Sequence, residues 1–203
     1  MVLSGHNPPF PVVAIAASAG GISPLRIILS RMPPHARAAF LVVVHIERDR
    51  ASDLPAILSR AGPLPAVHPG VREPLRLAQI YVAPPDRHLV VGAGSVRLVR
   101  SPSEHFVRPA ADVLFRSVAQ AAGAGAIGVL MTGMGDDGAR GLLEMREAGA
   151  ATLAQDEASC VVFGMPREAI ARGAAEEVVA LDRIPAAILR RAARPGAPAG
   201  GRA

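Results

Sequence analysis

The stretch VVAIAASAGGISPL (Val12–Leu25) decides the fold class, because it joins a strand pattern to a helix pattern through a glycine turn. Val12–Ala17 is apolar on both faces, which is typical of a parallel strand covered by helices on each side. Two glycines then permit a tight turn. Ser23 as N-cap and Pro24 at the first helical position predict a helix through Ser30. A buried strand that turns at once into a helix predicts the first unit of an α/β sheet.

The same alternation of strand and helix patterns recurs along the chain. The further predicted strands are Phe40–Val44, Ile80–Pro84, Ala126–Thr132, Ala151–Gln155 and Glu177–Leu181. The further predicted helices are one capped by Asp53 and running to Arg60, then Ala111–Ala122, Ala139–Gly149, Pro166–Arg172 and Arg183–Ala193. Two short runs around Gly92, Ala93 and Gly94 predict a β-hairpin with a three-residue turn. We therefore expect a doubly wound, mainly parallel sheet with helices on both faces and an inserted β-hairpin.

Length and composition favour one domain and exclude several classes of protein. We expect a domain over 12–193, an N-terminal extension over 1–11 and a flexible tail over 194–203. The net charge is +5, but all 22 basic residues are arginines scattered among acids, and the chain has one Tyr and no Trp, so nucleic-acid binding is disfavoured. A lone Cys160 excludes an intrachain disulfide and fits a reducing compartment. With neither a signal-peptide pattern nor a transmembrane pattern, we expect a cytoplasmic protein without membrane insertion.

Polar side chains follow three of the predicted strands. Ser18 follows the first strand and His45 the second, and the strand Ala126–Thr132 runs into Asp136 and Asp137. In doubly wound sheets ligands bind beyond the carboxyl ends of the strands. Serine becomes a nucleophile when a base takes its proton, and the base needs an acid to orient it. The three strand ends therefore predict a serine-hydrolase site.

Other interpretations of these residues also fit parts of the pattern. Ser18 before a glycine turn is also typical of a helix cap or a phosphate-loop hydroxyl, and Asp136 could cap the following helix. A dinucleotide site would use an acid near Glu47, but AASAGG lacks the early glycines of that fingerprint. A metal site is disfavoured, because Cys160 has no His at ligand spacing. His88 and His105, near the hairpin, could line a pocket.

Six segments carry a resemblance to a known family: VAIAASAGGISPL, FLVVVHI, YVAPPDRH, RPAADVLFRSVA, GVLMTGMGDDGARGLLEMREAGA and TLAQDEASCVVFGMPREAI. The chain resembles the catalytic domain of the CheB family, the chemotaxis receptor protein-glutamate methylesterases, from about Val12 to Leu189. The resemblance implies hydrolysis of glutamyl γ-methyl esters on the cytoplasmic methylation helices of chemoreceptors, with release of methanol. It also implies deamidation of certain receptor glutamines, and it requires no cofactor.

The resemblance also assigns roles to individual residues. The family's nucleophile lies in an A-S-[TA]-G-G stretch, which is Ser18 here, and its base is the histidine that closes the second strand, His45. Its acid is the second acidic position of T-G-M-G-x-D-G, which selects Asp137 rather than Asp136. The turn after the first strand itself predicts oxyanion and substrate binding at Ala19 and Gly20, because their backbone lies next to Ser18 near the positive end of the following helix. The family resemblance adds the amide of Met134.

The chain departs from the family pattern at several positions. Ala19 stands where many relatives have Thr, and Val44 where many have Gln before the base. About eleven residues precede the first strand, so we expect a stand-alone form without the usual phosphoreceiver domain, whose regulatory partner the sequence does not identify. A catalytically weak scaffold that binds receptors, or an esterase acting on another ester, remains an alternative.

Overall fold

The computed structural model describes residues 8–46 and 52–193. Seven strands form the main sheet in the order β10-β9-β8-β1-β2-β5-β3. In chain order these are β1 (Val12–Ala17), β2 (Ala39–Val44), β3 (Ala66–Val67), β5 (Ile80–Val82), β8 (Ala126–Leu130), β9 (Ala151–Gln155) and β10 (Glu177–Val179). The helices are α1 (Ile22–Ser30), α2 (Leu54–Ala61), α3 (Ala111–Ala122), α4 (Ala139–Glu147), α5 (Met165–Ala171) and α6 (Ile184–Ala192).

All strand pairs of the main sheet are parallel, and β1 lies at its centre between β2 and β8. From β1 the chain builds one half of the sheet through β2, β3 and β5, and it later returns to build the other half from β8. The winding direction therefore reverses next to β1, which is where doubly wound sheets bind ligands. The predicted fold class is confirmed.

The two faces of the sheet pack against different helices, because successive residues of a strand point to opposite faces. On one face the β1 side chains Val12, Ala14 and Ala16 pack against α3, α4 and α5. On the other face Val13 and Ile15 pack against α1, α2 and α6. Both faces are fully covered, which explains why β1 is apolar throughout.

A smaller antiparallel sheet lies beside this domain and contains the predicted hairpin. Its strands, in the order β4-β7-β6, are β4 (Arg72–Pro74), β6 (His88–Gly92) and β7 (Ser95–Val99). The prediction of a three-residue turn is wrong, because Gly92 pairs with Ser95 and leaves a two-residue turn. Ala93 and Gly94 both have positive φ, as this tight turn type requires. The strands β3 and β4 were not predicted, since each has three residues or fewer.

One predicted helix cap, Ser23, is wrong, and another, Asp53, has the predicted position without a side-chain capping bond. Helix α1 begins at Ile22 with Gly21 as its N-cap, so Ser23 lies inside the helix. The Gly21 carbonyl already accepts the first helical hydrogen bond, from Leu25 N–H at 3.0 Å. Asp53 does occupy the N-cap position of α2, but its side chain makes no capping bond; the Ser52 hydroxyl accepts the Leu54 N–H instead, at 3.3 Å.

The remaining differences concern element ends and the undescribed segments. Strands β5, β8 and β10 end two residues earlier than predicted, and α4 ends at Glu147 rather than Gly149. Helix α5 begins one residue early, and a short 3₁₀ turn, Leu181–Arg183, precedes α6. Glu47, most of the predicted N-terminal extension and the predicted tail lie outside the described residues. Within 8–46 and 52–193, no helix is both long and apolar enough to cross a bilayer.

Candidate active site

Ser18 and His45 leave neighbouring strands at the same level of the sheet. Ala17 of β1 is paired with Val44 of β2, so Ser18 and His45 are the next residues on each strand. The His45 N–H donates to the Ala17 carbonyl at 3.2 Å and continues this pairing by one step. By the alternation of strand side chains, both positions belong to the sheet face covered by α3, α4 and α5. The hydroxyl and the imidazole therefore arise from adjoining strand ends on one face.

Asp137 brings the carboxylate to the same place from the loop after β8. Its side chain is buried, and its Oδ2 lies 2.7 Å from His45 Nε2. The first residues of α3 also bind it: Ala111 N–H donates to Oδ2 at 2.7 Å and Asp112 N–H to Oδ1 at 2.9 Å. A carboxylate at a helix N-terminus also interacts favourably with the helix dipole. These contacts fix both the orientation and the charge of Asp137.

The electrostatic environment of Asp137 favours the ionised form. Burial acts to raise the pKa of this carboxyl, but the hydrogen bonds from His45 and from the Asp112 and Ala111 backbone outweigh it. The net result is an Asp137 pKa below its ordinary value, so the group is an anion at neutral pH. Because His45 Nε2 is hydrogen-bonded to Asp137, Nδ1 is the ring nitrogen that can exchange a proton with another group. This arrangement can orient an imidazole base and stabilise its charged form.

Thr132, which no motif argument singled out, connects the loops around Ser18. Its carbonyl accepts the Ser18 N–H at 2.9 Å, and its hydroxyl donates to the Ala19 carbonyl at 3.0 Å. The same hydroxyl accepts the Val162 N–H at 2.9 Å, while Gln155 Oε1 accepts the Thr132 N–H at 2.9 Å. Thr132 and Gln155 are both buried. The sequence signal available for this role was two polar residues at the carboxyl ends of otherwise apolar strands.

The backbone next to Ser18 offers two N–H groups to an incoming oxyanion. Within the described ranges, the N–H groups of Ala19 and Met134 donate no hydrogen bond to the protein. Gly133, just before Met134, passes so close to Ser18 that a Cβ there would lie 2.8 Å from Ser18 Cβ. Gly20 has φ +75°, and a Cβ on it would meet Val161 at 2.5 Å. Two unpaired amides beside a hydroxyl can bind the negative oxygen of a tetrahedral intermediate.

Asp136 and Asp137 are neighbours in sequence but have different partners. Asp136 is half exposed, and its Oδ1 lies 3.0 Å from His105 Nδ1. Its Oδ2 lies 3.5 Å from Arg172. The alternative that Asp136 caps α4 does not hold, because the N-cap residue is Gly138 and the Asp136 carboxylate instead contacts His105 and Arg172.

The other histidines and the cysteine have different environments. His105 lines a small polar cavity of about 120 Å³, as one sequence alternative allowed. His88 is instead buried, and its ring bonds the Pro102 carbonyl and the Ala110 N–H. Burial, with a smaller contribution from the Asp156 charge, raises the pKa of Cys160 to about 11. Cys160 is therefore a thiol at neutral pH and unsuited as a nucleophile.

The side chains of His105, Asp112 and Asp137 are close enough to suggest a cation site, since one ligand atom of each lies within 4.8 Å of the others. The carboxylate oxygens of Asp112 and Asp137 already accept hydrogen bonds. Both Asp137 oxygens accept backbone N–H groups, while Asp112 accepts Gly141 N–H at 2.6 Å on Oδ1 and faces His105 on Oδ2. A metal ion would have to displace these donors, so the group fits a hydrogen-bonded network better than a metal site.

The fold and these strand ends define a doubly wound α/β domain with a hydroxyl, an imidazole and a carboxylate at one edge of the sheet. The chain belongs to the CheB methylesterase family, whose model matches residues 13–188.

Curated relatives and a solved structure agree with this membership. The chain is 45% identical over 182 residues to a Bradyrhizobium diazoefficiens protein-glutamate methylesterase/protein-glutamine glutaminase of group 3 operon, covering 88% of this chain and 50% of the relative. It is 45% identical over 177 residues to a Yersinia pestis protein-glutamate methylesterase/protein-glutamine glutaminase, covering 85% and 50%. The Thermotoga maritima CheB methylesterase catalytic domain superimposes with a TM-score of 0.85 at 31% identity, covering 89% of this chain and 98% of that one. The chain thus spans about half the length of these curated relatives.

Proposed function

We propose that this domain hydrolyses glutamyl γ-methyl esters of protein substrates, with Ser18 as nucleophile, His45 as base and Asp137 as the acid that orients it. The observation that carries this proposal is the 2.7 Å contact between His45 Nε2 and Asp137 Oδ2, with His45 at the same level of the sheet as Ser18. Membership of the CheB methylesterase family supports the same choice of ester. A protein-glutamine glutaminase activity follows from the same chemistry, with ammonia as the leaving group in place of methanol.

The reaction would proceed in two steps. His45 Nδ1 accepts the Ser18 proton while Oγ bonds to the ester carbonyl carbon, and the carbonyl electrons move to its oxygen. Collapse of this intermediate breaks the bond to the methoxy group, which leaves as methanol with the proton from His45. A water molecule then attacks the acyl-enzyme, again through His45, and releases the free glutamate and the Ser18 hydroxyl. Each proton that His45 takes is returned, so no cofactor is consumed.

The oxyanion would be held by backbone amides rather than by side chains. The N–H groups of Ala19 and Met134 support this role, because neither donates a hydrogen bond to another residue that the structure describes. Because an amide is present whatever the side chain, Ala19 in place of the family's usual threonine leaves the donor intact. Gly20 would keep the turn open to substrate, since a side chain there would collide with Val161.

We further propose that the protein substrate is the methylation helix of a chemoreceptor in the cytoplasm. Three large apolar side chains near this edge are strongly exposed: Phe106 at 98%, Met134 at 75% and Val161 at 70%. An amphipathic helix presents apolar side chains at regular spacing, and such side chains would cover this rim while the ester enters the site. The apolar rim and the family membership support a helical protein substrate over a free small ester.

The test is to incubate the protein with methyl-labelled receptor membranes and to measure methanol release, with Ser18→Ala as the control. The proposal predicts release by the wild type that exceeds the variant by at least about 10³-fold. Equal rates would contradict it and would favour the scaffold alternative. Release from a small ester such as a glutamate methyl ester, but never from receptors, would contradict the proposed substrate and leave the esterase chemistry intact.

A further inference from the structure

His105 has a carboxylate on each side of its ring. It lies in the turn between Glu104 and Val107, with Nε2 2.9 Å from Asp112 Oδ2 and Nδ1 3.0 Å from Asp136 Oδ1. An ionised carboxylate can only accept hydrogen bonds. With both neighbours ionised, each ring nitrogen must carry a proton, and the ring is then an imidazolium.

Asp112 is the partner that connects His105 to the proposed active site. Its carboxylate is buried, its backbone N–H donates to Asp137 Oδ1, and its side chain comes within 4.8 Å of the Asp137 carboxylate. Burial raises the pKa of Asp112, the Gly141 N–H opposes this, and the Asp137 charge raises it further. Two buried carboxylates at this distance repel each other, and a nearby cation offsets part of this repulsion.

The arginines around His105 form ion pairs with acids other than Asp112. Besides His105, the cavity is lined by six charged residues: Glu104, Asp112, Arg116, Asp136, Arg140 and Arg172. Arg116 binds Glu104 at 2.9 Å, Arg140 binds Glu144 at 3.3 Å, and Arg172 approaches Asp136 at 3.5 Å. Within 8–46 and 52–193, the ion pair of the Asp112 carboxylate is made with His105.

The surroundings of His105 favour its charged form. Burial acts to lower the pKa of this imidazole, but the negative charges of Asp137, Asp112 and Asp136 outweigh it and raise the pKa above its ordinary value. His105 is about one-third exposed, so a proton can reach it from solvent.

We propose that His105 is a positioning residue for the proposed hydrolysis: as an imidazolium held between Asp112 and Asp136, it offsets the buried charge of Asp112 next to the Asp137 carboxylate that orients His45. His105 acts on His45 through Asp137 and touches no substrate. The role rests on the proposed function, in which His45 must be neutral to accept the Ser18 proton.

The direction of the effect follows from the charges. Without the His105 cation, Asp112 adds an uncompensated negative charge near the His45–Asp137 pair. A negative charge favours the protonated form of a nearby imidazole, so we expect the acid limb of the kcat/KM profile to move to higher pH. If the Asp112 charge is removed as well, the net charge beside the His45–Asp137 pair is again that of the wild type. The acid limb of kcat/KM then returns toward its wild-type position.

The test compares the wild type with His105→Gln, Asp112→Asn and the double variant, and it follows two readouts against pH. The first is kcat/KM for a glutamyl methyl ester, and the second is the NMR titration of the His45 imidazole, which needs a folded protein but no activity. We expect His105→Gln to move both inflections upward by roughly 0.5 to 1 pH unit, and Asp112→Asn to move them downward. The double variant should fall between the two single variants.

An unchanged His45 inflection in His105→Gln would overturn the proposal, as would a uniform loss of activity at all pH values. Asp136→Asn is the matched control, because it removes only the half-exposed partner and should give the smaller shift. If no variant or wild type hydrolyses the ester, the proposed function fails, whereas the NMR titration still decides the role of His105.

Discussion

Two histidine–aspartate pairs lie at the same edge of the sheet, and they differ in how the second ring nitrogen is used. His45 contacts Asp137 through Nε2 at 2.7 Å, whereas His105 contacts Asp112 and Asp136 through its two nitrogens at 2.9 and 3.0 Å. A ring bound by one acid can still accept a proton from a neighbour, and a ring bound by two acids is held as a cation. The contact distances are similar in the two pairs. The number of carboxylates around the ring determines whether it can accept a proton or is held as a cation.

The largest expected loss of kcat is at Asp137, the acid of the His45–Asp137 pair. Asp137→Asn should reduce kcat by about 10⁴-fold, because an amide cannot stabilise the charged imidazole or hold the same tautomer. Steady-state methanol release measures this. The neighbouring Asp136→Asn should change kcat less than about fivefold, because its ion pairs are partly exposed. Equal losses in the two variants would show that the contacts of Asp137 do not matter for the reaction.

A smaller effect is expected at Thr132, which aligns the two loops beside the first pair. Thr132→Val keeps the shape but removes the hydroxyl that joins Ala19 to Val162, and we expect kcat to fall ~10–100-fold at similar KM. Thr152→Val is a matched control, because Thr152 is another buried threonine whose hydroxyl accepts one N–H, from Glu176. Both variants should unfold more easily, but only Thr132→Val should lose turnover. Similar kcat losses in the two would reduce Thr132 to a role in stability.

The smallest effect is expected at Phe106, which follows His105 in the 104–107 turn. Phe106 is almost fully exposed, so we expect Phe106→Ser to change hydrolysis of a small ester much less than hydrolysis of a receptor. With receptor membranes KM should rise several-fold, because the helix loses one apolar contact. Competition between receptor and small ester in one assay directly measures the ratio of the two kcat/KM values. An unchanged ratio would remove Phe106 from the proposed docking rim.

Much of the fold could be predicted because β1 and β2 are apolar on both faces, which few other arrangements tolerate. The place of the proposed site followed from the polar residues that end these strands. The caps were less predictable, since Ser23 and Gly21 offer similar local signals, and the choice depended on the hydrogen bond from Gly21 N–H to the Ser18 carbonyl at 2.9 Å.

The partners of the proposed site could not be predicted from local sequence. Asp136 and Asp137 were distinguished by family resemblance, whereas the physical difference is that α3, 25 residues earlier in the chain, turns its N–H groups toward Asp137. The contact between Thr132 and Ala19 spans 113 residues. The interaction of His105 with Asp112 likewise depends on how the 104–107 turn packs against α3. Such contacts arise from tertiary packing, which no local pattern encodes.

The central claim is that Ser18, His45 and Asp137 act as one unit, and covalent labelling tests it most directly. A fluorophosphonate reacts with an activated serine, and mass spectrometry identifies the modified residue. We expect a single adduct on Ser18 in the wild type, no adduct in Ser18→Ala, and labelling slowed by at least about 10²-fold in His45→Ala. Adduct formation elsewhere, or labelling of Ser18 at the same rate in wild type and His45→Ala, would contradict the claim.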